Sequence, residues 1–390
     1  MVQRINRRLL PGALLAVLLM VVALPSRAQL PDSLSAGARI SVLTVNPGEA
    51  VYSLWGHTAL RVVDPGGGFD AVFNWGTFDP TRPWFVPRFA YGDMLYELSV
   101  EPMARFLSGA TLQERGVVEQ VLDLDPDEAQ AMWVLLRENM KPENRAYAYD
   151  FVRDNCSTRI LDLLLTVGAI TIEDDGPDVT YRDMVDTYVH QAAWLDLGIH
   201  LAFGSPMDRE VTPRDRAFLP LEFEVMLDAS SKEDGEPIVS SKRTLLDIKW
   251  APSLRGVNQV DWLFGGLGLL ILVFTARTFR SPEAAPTKYD RFLMGFLGLA
   301  GFVLMLMWFA SMHWVSAWNM DLMWALPTHL VVAVVWKRWT RLIPYMRVTG
   351  FIMLLGLALQ LIGVQPPPPA MIVFVLTIGL RFALMRTPQA

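Results

Sequence analysis

Cysteine is almost absent from this sequence: of 390 residues, only Cys156 carries a thiol. A single cysteine excludes an internal disulfide framework and every zinc site built on paired cysteines. Histidine is scarce too, at five residues. There is no His-Glu-x-x-His run and no two histidines three or four apart, so the sequence resists a metal site and no cofactor is expected. A glycine-rich phosphate loop is also lacking, because Gly66-Gly67-Gly68 has no Lys-Ser/Thr after it and suits a hairpin turn. Basic charge is missing where a nucleic-acid partner would need it. Residues 30–260 hold twenty Lys+Arg against thirty-six Asp+Glu, a formal charge of −16. That balance excludes the clustered basic footprint of a nucleic-acid binder, and simple electrostatic adhesion to anionic lipid with it.

What the chain does have is apolar residues, 52% of the total, above the range usual for soluble proteins. They are concentrated at the two ends. Arg4, Arg7 and Arg8 precede an apolar stretch from about Leu9 to Leu24. Pro25 then breaks it, and Ser26-Arg27-Ala28 offers small residues for cleavage before Gln29. This is the form of an export signal over residues 1–28, and the uninterrupted part, Gly12 to Leu24, is short for a spanning helix.

Beyond Gly256 five apolar stretches follow, Trp262–Thr275, Phe292–Ala310, Leu322–Trp336, Val348–Val364 and Met371–Met385. Residues 257–390 therefore read as a bundle of about five transmembrane helices. The loops between them alternate. Arg277, Arg280, Lys288 and Arg291 separate the first two stretches, and Lys337, Arg338, Arg341 and Arg347 the third and fourth, whereas His313–Asp321 and Gln365–Pro369 carry no Lys or Arg. The positive-inside rule puts the basic loops in the cytoplasm and residues 29–256 outside. The expected location is a bacterial inner membrane, crossed several times, with the large domain in the periplasm.

In that domain Arg39–Val45, Ala59–Val63 and Asp70–Trp75 are short, β-branched and partly alternating, and read as strands. Pro102–Ser108 reads as a short helix. Asp125-Pro126 reads as an N-cap and first turn, with Met132, Leu135 and Leu136 continuing the apolar face. A further helix is expected from Cys156 to Val167, capped by Asp154 or Asn155. Residues 221–249 read as a hairpin around Asp234-Gly235, and 221–256 as hairpin and linker. The fold class is α+β with a small antiparallel sheet.

The lone thiol carries the functional argument. Cys156 cannot form an internal disulfide in a compartment where disulfides form readily. At a helix N-terminus the dipole and free N–H groups favour its thiolate and could hold an oxyanion. Such a nucleophile needs a base. His57 stands behind a glycine at a strand end, where an imidazole is exposed, whereas His190 and His200 lie in a helical, aromatic-containing stretch and read as structural. Asp70 and Asn74, on the following strand, are the candidates for a third group orienting the ring. His313 and Asp321, beside apolar spans, are costly there without a role, and a lipid headgroup or the catalytic domain is the expected contact.

The motifs Tyr52-Ser53-x-Trp55-Gly56-His57-x-Ala59-Leu60-Arg61, Asn74-Trp75-Gly76-Thr77-Phe78, Tyr147-x-Tyr149-Asp150-Phe151 and Asp154-Asn155-Cys156-Ser157-Thr158-Arg159 come in this order. Gly204-Ser205-Pro206-x-Asp208-Arg209, Phe218-Leu219-Pro220 and, in the outer loop, His313 and Asn319–Trp324 follow them. With histidine ahead of cysteine, the chain resembles the circularly permuted, NlpC-type branch of the papain-like superfamily. More closely, it resembles the Lnb N-terminal periplasmic domain family. The resemblance implies a papain-like catalytic domain over residues 29–220. It implies thiol-dependent acyl transfer by Cys156 and His57, from a membrane phospholipid to the α-amine of a lipoprotein cysteine. It further implies substrate-binding roles for Trp55, Arg61, Tyr149, Asn155, Arg159, His313, Asn319 and Asp321. Two alternatives stay open: an envelope hydrolase using the same dyad to cleave an amide or ester, and a non-catalytic scaffold in which Cys156 is merely buried.

Overall fold

The computed structural model describes residues 30–172, 176–251, 256–280, 287–335 and 339–385. The expected export signal, 1–28, and Lys337 and Arg338 of the second basic loop lie outside the described residues.

Seven strands form one antiparallel sheet: β1 Arg39–Val45, β2 His57–Asp64, β3 Phe69–Thr77, β4 Leu95–Pro102, β5 Val117–Leu122, β6 Ala146–Ala148 and β7 Val239–Leu246. Their spatial order is β6-β4-β3-β2-β1-β5-β7. The period of two divides each strand between two cores. Ile40, Val42, Leu60, Val62 and Phe73 face one side, where they meet helix α3 (Pro126–Asn139) through Met132 and Trp133, α4 (Cys156–Thr166) through Ile160, Leu161 and Leu164, and α7 (Pro220–Ala229) through Phe223 and Leu227. Leu43, Val45, Ala59 and Val72 face the other side and pack on α2 (Met103–Leu112). A short helix α1 (Phe85–Tyr91) lies between β3 and β4, and α5 (Tyr181–Val189) and α6 (Ala193–Ala202) follow α4.

The sheet is larger than the sequence suggested, and the expected hairpin over 221–249 is not formed. Pro220 opens helix α7, with Phe223 and Leu227 four apart on its buried side. The Asp234-Gly235 turn is present, but β7 then pairs with β5, in the register Glu119↔Arg243. The turn signal was local; the strand's partner is not.

The C-terminal part is helical: α8 Gln259–Phe279, α9 Lys288–Phe309, α10 Thr328–Val335, α11 Trp339–Leu361 and α12 Pro369–Ala383. Among the described residues three stretches, Gln259–Phe279, Lys288–Phe309 and Leu342–Leu361, are long and apolar enough to cross a membrane, while the third and fifth expected spans fall to shorter helices. Many of their large side chains face outward, among them Trp262, Leu270, Phe292 and Phe351, an arrangement water would penalise and hydrocarbon would not. Inside the bundle, Arg381 of α12 pairs with Asp290 of α9, both fully buried.

The two halves are docked. Gly204 N–H donates to Val315 O at 2.8 Å, and Asn319 Nδ2 to Leu201 O at 2.7 Å. Trp314 Nε1 donates to Asp150 Oδ2 at 2.9 Å, and the Arg153 guanidinium lies 3.8 Å over the Trp314 ring. Only glycine fits at 204: a Cβ there would stand 1.8 Å from the Ala317 carbonyl oxygen.

Candidate active site

His57 is aimed by its backbone. Gly56 before it has φ +84°, and a Cβ there would lie 2.9 Å from Val45 O, so glycine alone permits the bend that starts β2 at the histidine. On β3, Asn74 Oδ1 stands 3.1 Å from His57 Nε2, and Asn74 Nδ2 donates to Glu101 Oε1 at 3.0 Å. Glu101 is ion-paired with Arg105 at 3.5 Å. A carboxylate only accepts, so Glu101 fixes which end of the Asn74 amide is nitrogen. The oxygen then faces His57, the proton of the neutral ring sits on Nε2, and Nδ1 is left basic.

Cys156 opens α4. Asn155 caps the helix, its Oδ1 accepting from Ser157 N–H at 2.9 Å and Thr158 N–H at 3.1 Å, while Asn155 N–H donates to Thr158 Oγ1 at 2.8 Å. The Asn155 amide nitrogen donates to Phe151 O and Phe218 O at 2.7 and 2.8 Å. Thr58, next to His57, shares a 2.8 Å hydrogen bond with Ser157, next to Cys156, which ties strand to helix beside the pair. Burial pushes the Cys156 thiol up, but the charge and hydrogen bond of His57, with the Thr58 N–H and Ser157, outweigh it and leave the thiol below its ordinary value. Burial likewise pulls His57 down, and the thiolate and Asn74 more than restore it, so the imidazole is raised. Opposite shifts in two touching groups favour the thiolate–imidazolium state.

Of the two candidates for the orienting group, Asn74 touches His57 and Asp70 does not. Asp70 pairs in register with Val63, six residues along β2 from His57, which is roughly 20 Å at strand rise. Its carboxylate is held there by Arg61, at 2.8 and 2.6 Å. Arg61, expected to bind substrate, is spent on this pair and on Glu119 at 3.0 Å. Asn155 is spent on the cap. Arg159 grips Asp154 at 2.6 and 2.9 Å and lies 3.8 Å over the Tyr147 ring.

Tyr149 is half-buried and stacks on Tyr96 at 4.5 Å; burial of its hydroxyl first, and the nearby thiolate second, push that group well up. Trp55 meets Phe151 edge-on at 4.8 Å, and its buried indole N–H has no hydrogen-bond partner among the described residues. In the outer loop, His313 Nε2 contacts Phe89 O at 2.9 Å. Asn319 and Asp321 are buried, Asn319 against Leu201 and Asp321 among Trp324 and Gln360 at 2.7 and 2.9 Å. His313 and Asn319 thus meet the N-terminal domain, and Asp321 organises the loop beneath it.

One charged group near the thiol had no signal in the sequence. Arg115, between α2 and β5, is buried; its Nε donates to Asn46 O at 2.6 Å and its Nη1 to Gln113 Oε1 at 3.2 Å, while Nη2 has no hydrogen-bond partner among the described residues. Burial lowers its guanidinium to about 10, against the pull of the Cys156 thiolate. Nothing in Gln113-Glu114-Arg115-Gly116 announces this, because the contact depends on where β5 joins the sheet.

Beside Tyr96, Phe78, Phe85, Phe89 and Leu95 line a cleft of about 280 Å³. Phe89 of its lining is exposed, as are Trp84 and Tyr91 at the two ends of α1, and Phe89 O and Tyr91 O contact the start of the loop after α9.

Residues 32–187 match the Lnb N-terminal periplasmic domain, and residues 259–389 match the Lnb transmembrane domain. Together these cover most of the chain, in the same order and with the same division as the two halves of the fold. No curated protein and no solved structure matches the chain.

Proposed function

The chain belongs to the Lnb family, as a bacterial membrane protein with a periplasmic domain, and on that premise we propose that it is a thiol-dependent acyltransferase acting at the membrane surface. The observation that carries the proposal is Cys156 at a capped helix N-terminus, coupled to His57, whose far nitrogen is held by Asn74. In the proposed reaction the Cys156 thiolate attacks an ester carbonyl of a phospholipid. The C–O bond breaks, the His57 imidazolium protonates the departing lysophospholipid oxygen, and a thioester remains. The α-amine of a lipoprotein N-terminal cysteine then attacks the thioester, His57 takes the ammonium proton, and the thiolate leaves.

The oxyanion of each tetrahedral intermediate needs donors. The Cys156 N–H is proposed for this role, with the Trp55 indole N–H and the Arg115 guanidinium as further donors, both buried without a full set of partners. The aromatic cleft beside Tyr96 suits an acyl chain. Exposed Trp84 and Tyr91 suit the headgroup layer, where amphipathic rings settle. All five C-terminal helices are proposed to cross the inner membrane, placing Cys156 on the periplasmic side.

The test is transfer itself. Purified protein in mixed micelles, given phospholipid and a diacylated lipopeptide with a free N-terminal amine, should yield a triacylated product that Cys156→Ser does not form. Release of free fatty acid without the amide product would favour the hydrolase reading. Neither product would reject both.

A further inference from the structure

Two Asp-x-x-x-His pairs, Asp186/His190 and Asp196/His200, occur ten residues apart. Four residues is one helical turn, so each pair lies on one helix face. The first pair spans the C-terminal end of α5 and the turn after it; the second lies on α6, which folds back on α5. The ligand atoms of Asp186, Asp196 and His200 all fall within 4.8 Å of one another. His200 Nε2 is 3.3 Å from Asp186 Oδ1 and 3.3 Å from Asp196 Oδ1, and His190 Nδ1 is 3.8 Å from Asp196 Oδ2.

At 3.3 to 3.8 Å these contacts are long for hydrogen bonds. His200 is 6% exposed, yet among the described residues neither of its ring nitrogens has a partner in hydrogen-bond geometry, nor does His190 Nδ1 or Asp186 Oδ1. An N–H···O bond is about 2.9 Å long. Two ligand atoms each about 2.05 Å from a shared tetrahedral zinc are about 3.3 Å apart. Both contacts of His200 fall on that ligand–ligand edge. Two carboxylates facing one imidazole, Asp196 buried and Asp186 partly so, also leave negative charge that a divalent cation would neutralise.

We infer that Asp186, Asp196 and His200, with His190 beside them, form a buried divalent-cation site whose nitrogen and oxygen donors suit zinc. Asp196 and His200 border Asn258 and Val260 at the start of α8, and Pro368 and Ala370 at the start of α12. Leu201, one residue beyond His200, receives Asn319 of the outer loop. A cation here would pin α5 to α6 and so steady the surface on which the membrane half docks. The role is structural, as no substrate reaches so buried a centre. Mixed Asp/His pairs divided between two helices carry none of the paired-histidine or paired-cysteine spacing that marks a metal site in sequence.

The test is elemental analysis of the full-length protein, purified in detergent without chelator and exposed to zinc chloride. Because Cys156 and His57 could themselves capture zinc, it is run in the Cys156→Ser background as well. We expect one zinc per chain in wild type and in Cys156→Ser, lost in Cys156→Ser/His200→Ala. Chelation of the wild type should lower its melting temperature, and zinc should restore it, a readout that does not require the His200 variant to fold. Zinc that disappears with Cys156→Ser alone, or a protein that holds no zinc and melts identically with chelator, would overturn the site and leave His200 as an imidazolium paired with two carboxylates. Neither result bears on acyl transfer, which is read separately.

Discussion

Asn74→Ala, set beside Asp70→Ala, separates two residues on one strand that sequence alone could not rank. In the structure Asn74 gives His57 a single hydrogen bond, 3.1 Å long, with its polarity set by Glu101. Removing it leaves the ring free to rotate and to exchange tautomers, and takes away an acceptor that favours the charged imidazole. A hydrogen bond to a charged group contributes about 1.5–3 kcal/mol, which corresponds to roughly a ten- to 150-fold loss of rate. The assay is formation of an acyl adduct on Cys156 from phospholipid, followed by mass over time, together with the rate of alkylation by iodoacetamide. Asp70→Ala removes the Arg61 partner on the distant part of β3, and Arg61 still has Glu119. It should leave both rates within about twofold of wild type, since the pair lies far from His57 along β2 and its carboxylate is partly exposed to water, where an ion pair is worth little. A large loss in Asp70→Ala with Asn74→Ala unchanged would refute the tautomer argument and the strand register on which it rests.

The pH dependence of the thiol follows from the same pair. In wild type the charge and hydrogen bond of His57 outweigh burial and hold Cys156 below its ordinary value, so alkylation should persist below the pH ~8.5 of a free thiol and fall away as the thiolate takes up its proton. In His57→Ala the thiol loses the charge and hydrogen bond that most oppose its burial and keeps the Thr58 N–H and Ser157, so the profile should move to higher pH and alkylation at neutral pH should fall; an unshifted profile would count against the ion pair. Gly204→Val tests the dock. Its side chain would strike the Ala317 carbonyl, an overpacking that costs about 1–3 kcal/mol. Hydrogen exchange should rise at 313–321, and adduct formation from phospholipid should fall while alkylation of Cys156 stays at the wild-type rate. Equal losses in both assays would mean that the substitution damages the catalytic domain itself.

The parts of this protein legible in its sequence are those set by local chemistry. β1 was expected at Arg39–Val45 and lies there. The Asp125-Pro126 start of α3 carries the anticipated cap, and α4 begins at Cys156 beneath Asn155. What could not be read was set by distant partners. β4 and β5 went unrecognised because Leu95–Pro102 and Val117–Leu122 are broken by charged and polar residues, which suit strands whose faces are covered unevenly. Residues 221–249 misled because a good turn dipeptide sits between a helix and an edge strand. Asp70 and Asn74 share a face by period, and only the register of β3 on β2 tells which one reaches His57. Arg115 and the outer-loop contacts of His313 and Asn319 depend on the docking of elements far apart in the chain, on which local patterns are silent.

The central claim is that Cys156 carries an acyl group. Intact-mass analysis of the detergent-purified protein after incubation with phospholipid tests it most directly, with Cys156→Ser and His57→Ala alongside. The account predicts one hydroxylamine-labile acyl adduct on wild type, none on Cys156→Ser and little on His57→Ala. An unmodified wild-type mass, with Cys156 unreactive toward iodoacetamide in the folded protein, would contradict it and leave the thiol a packing residue.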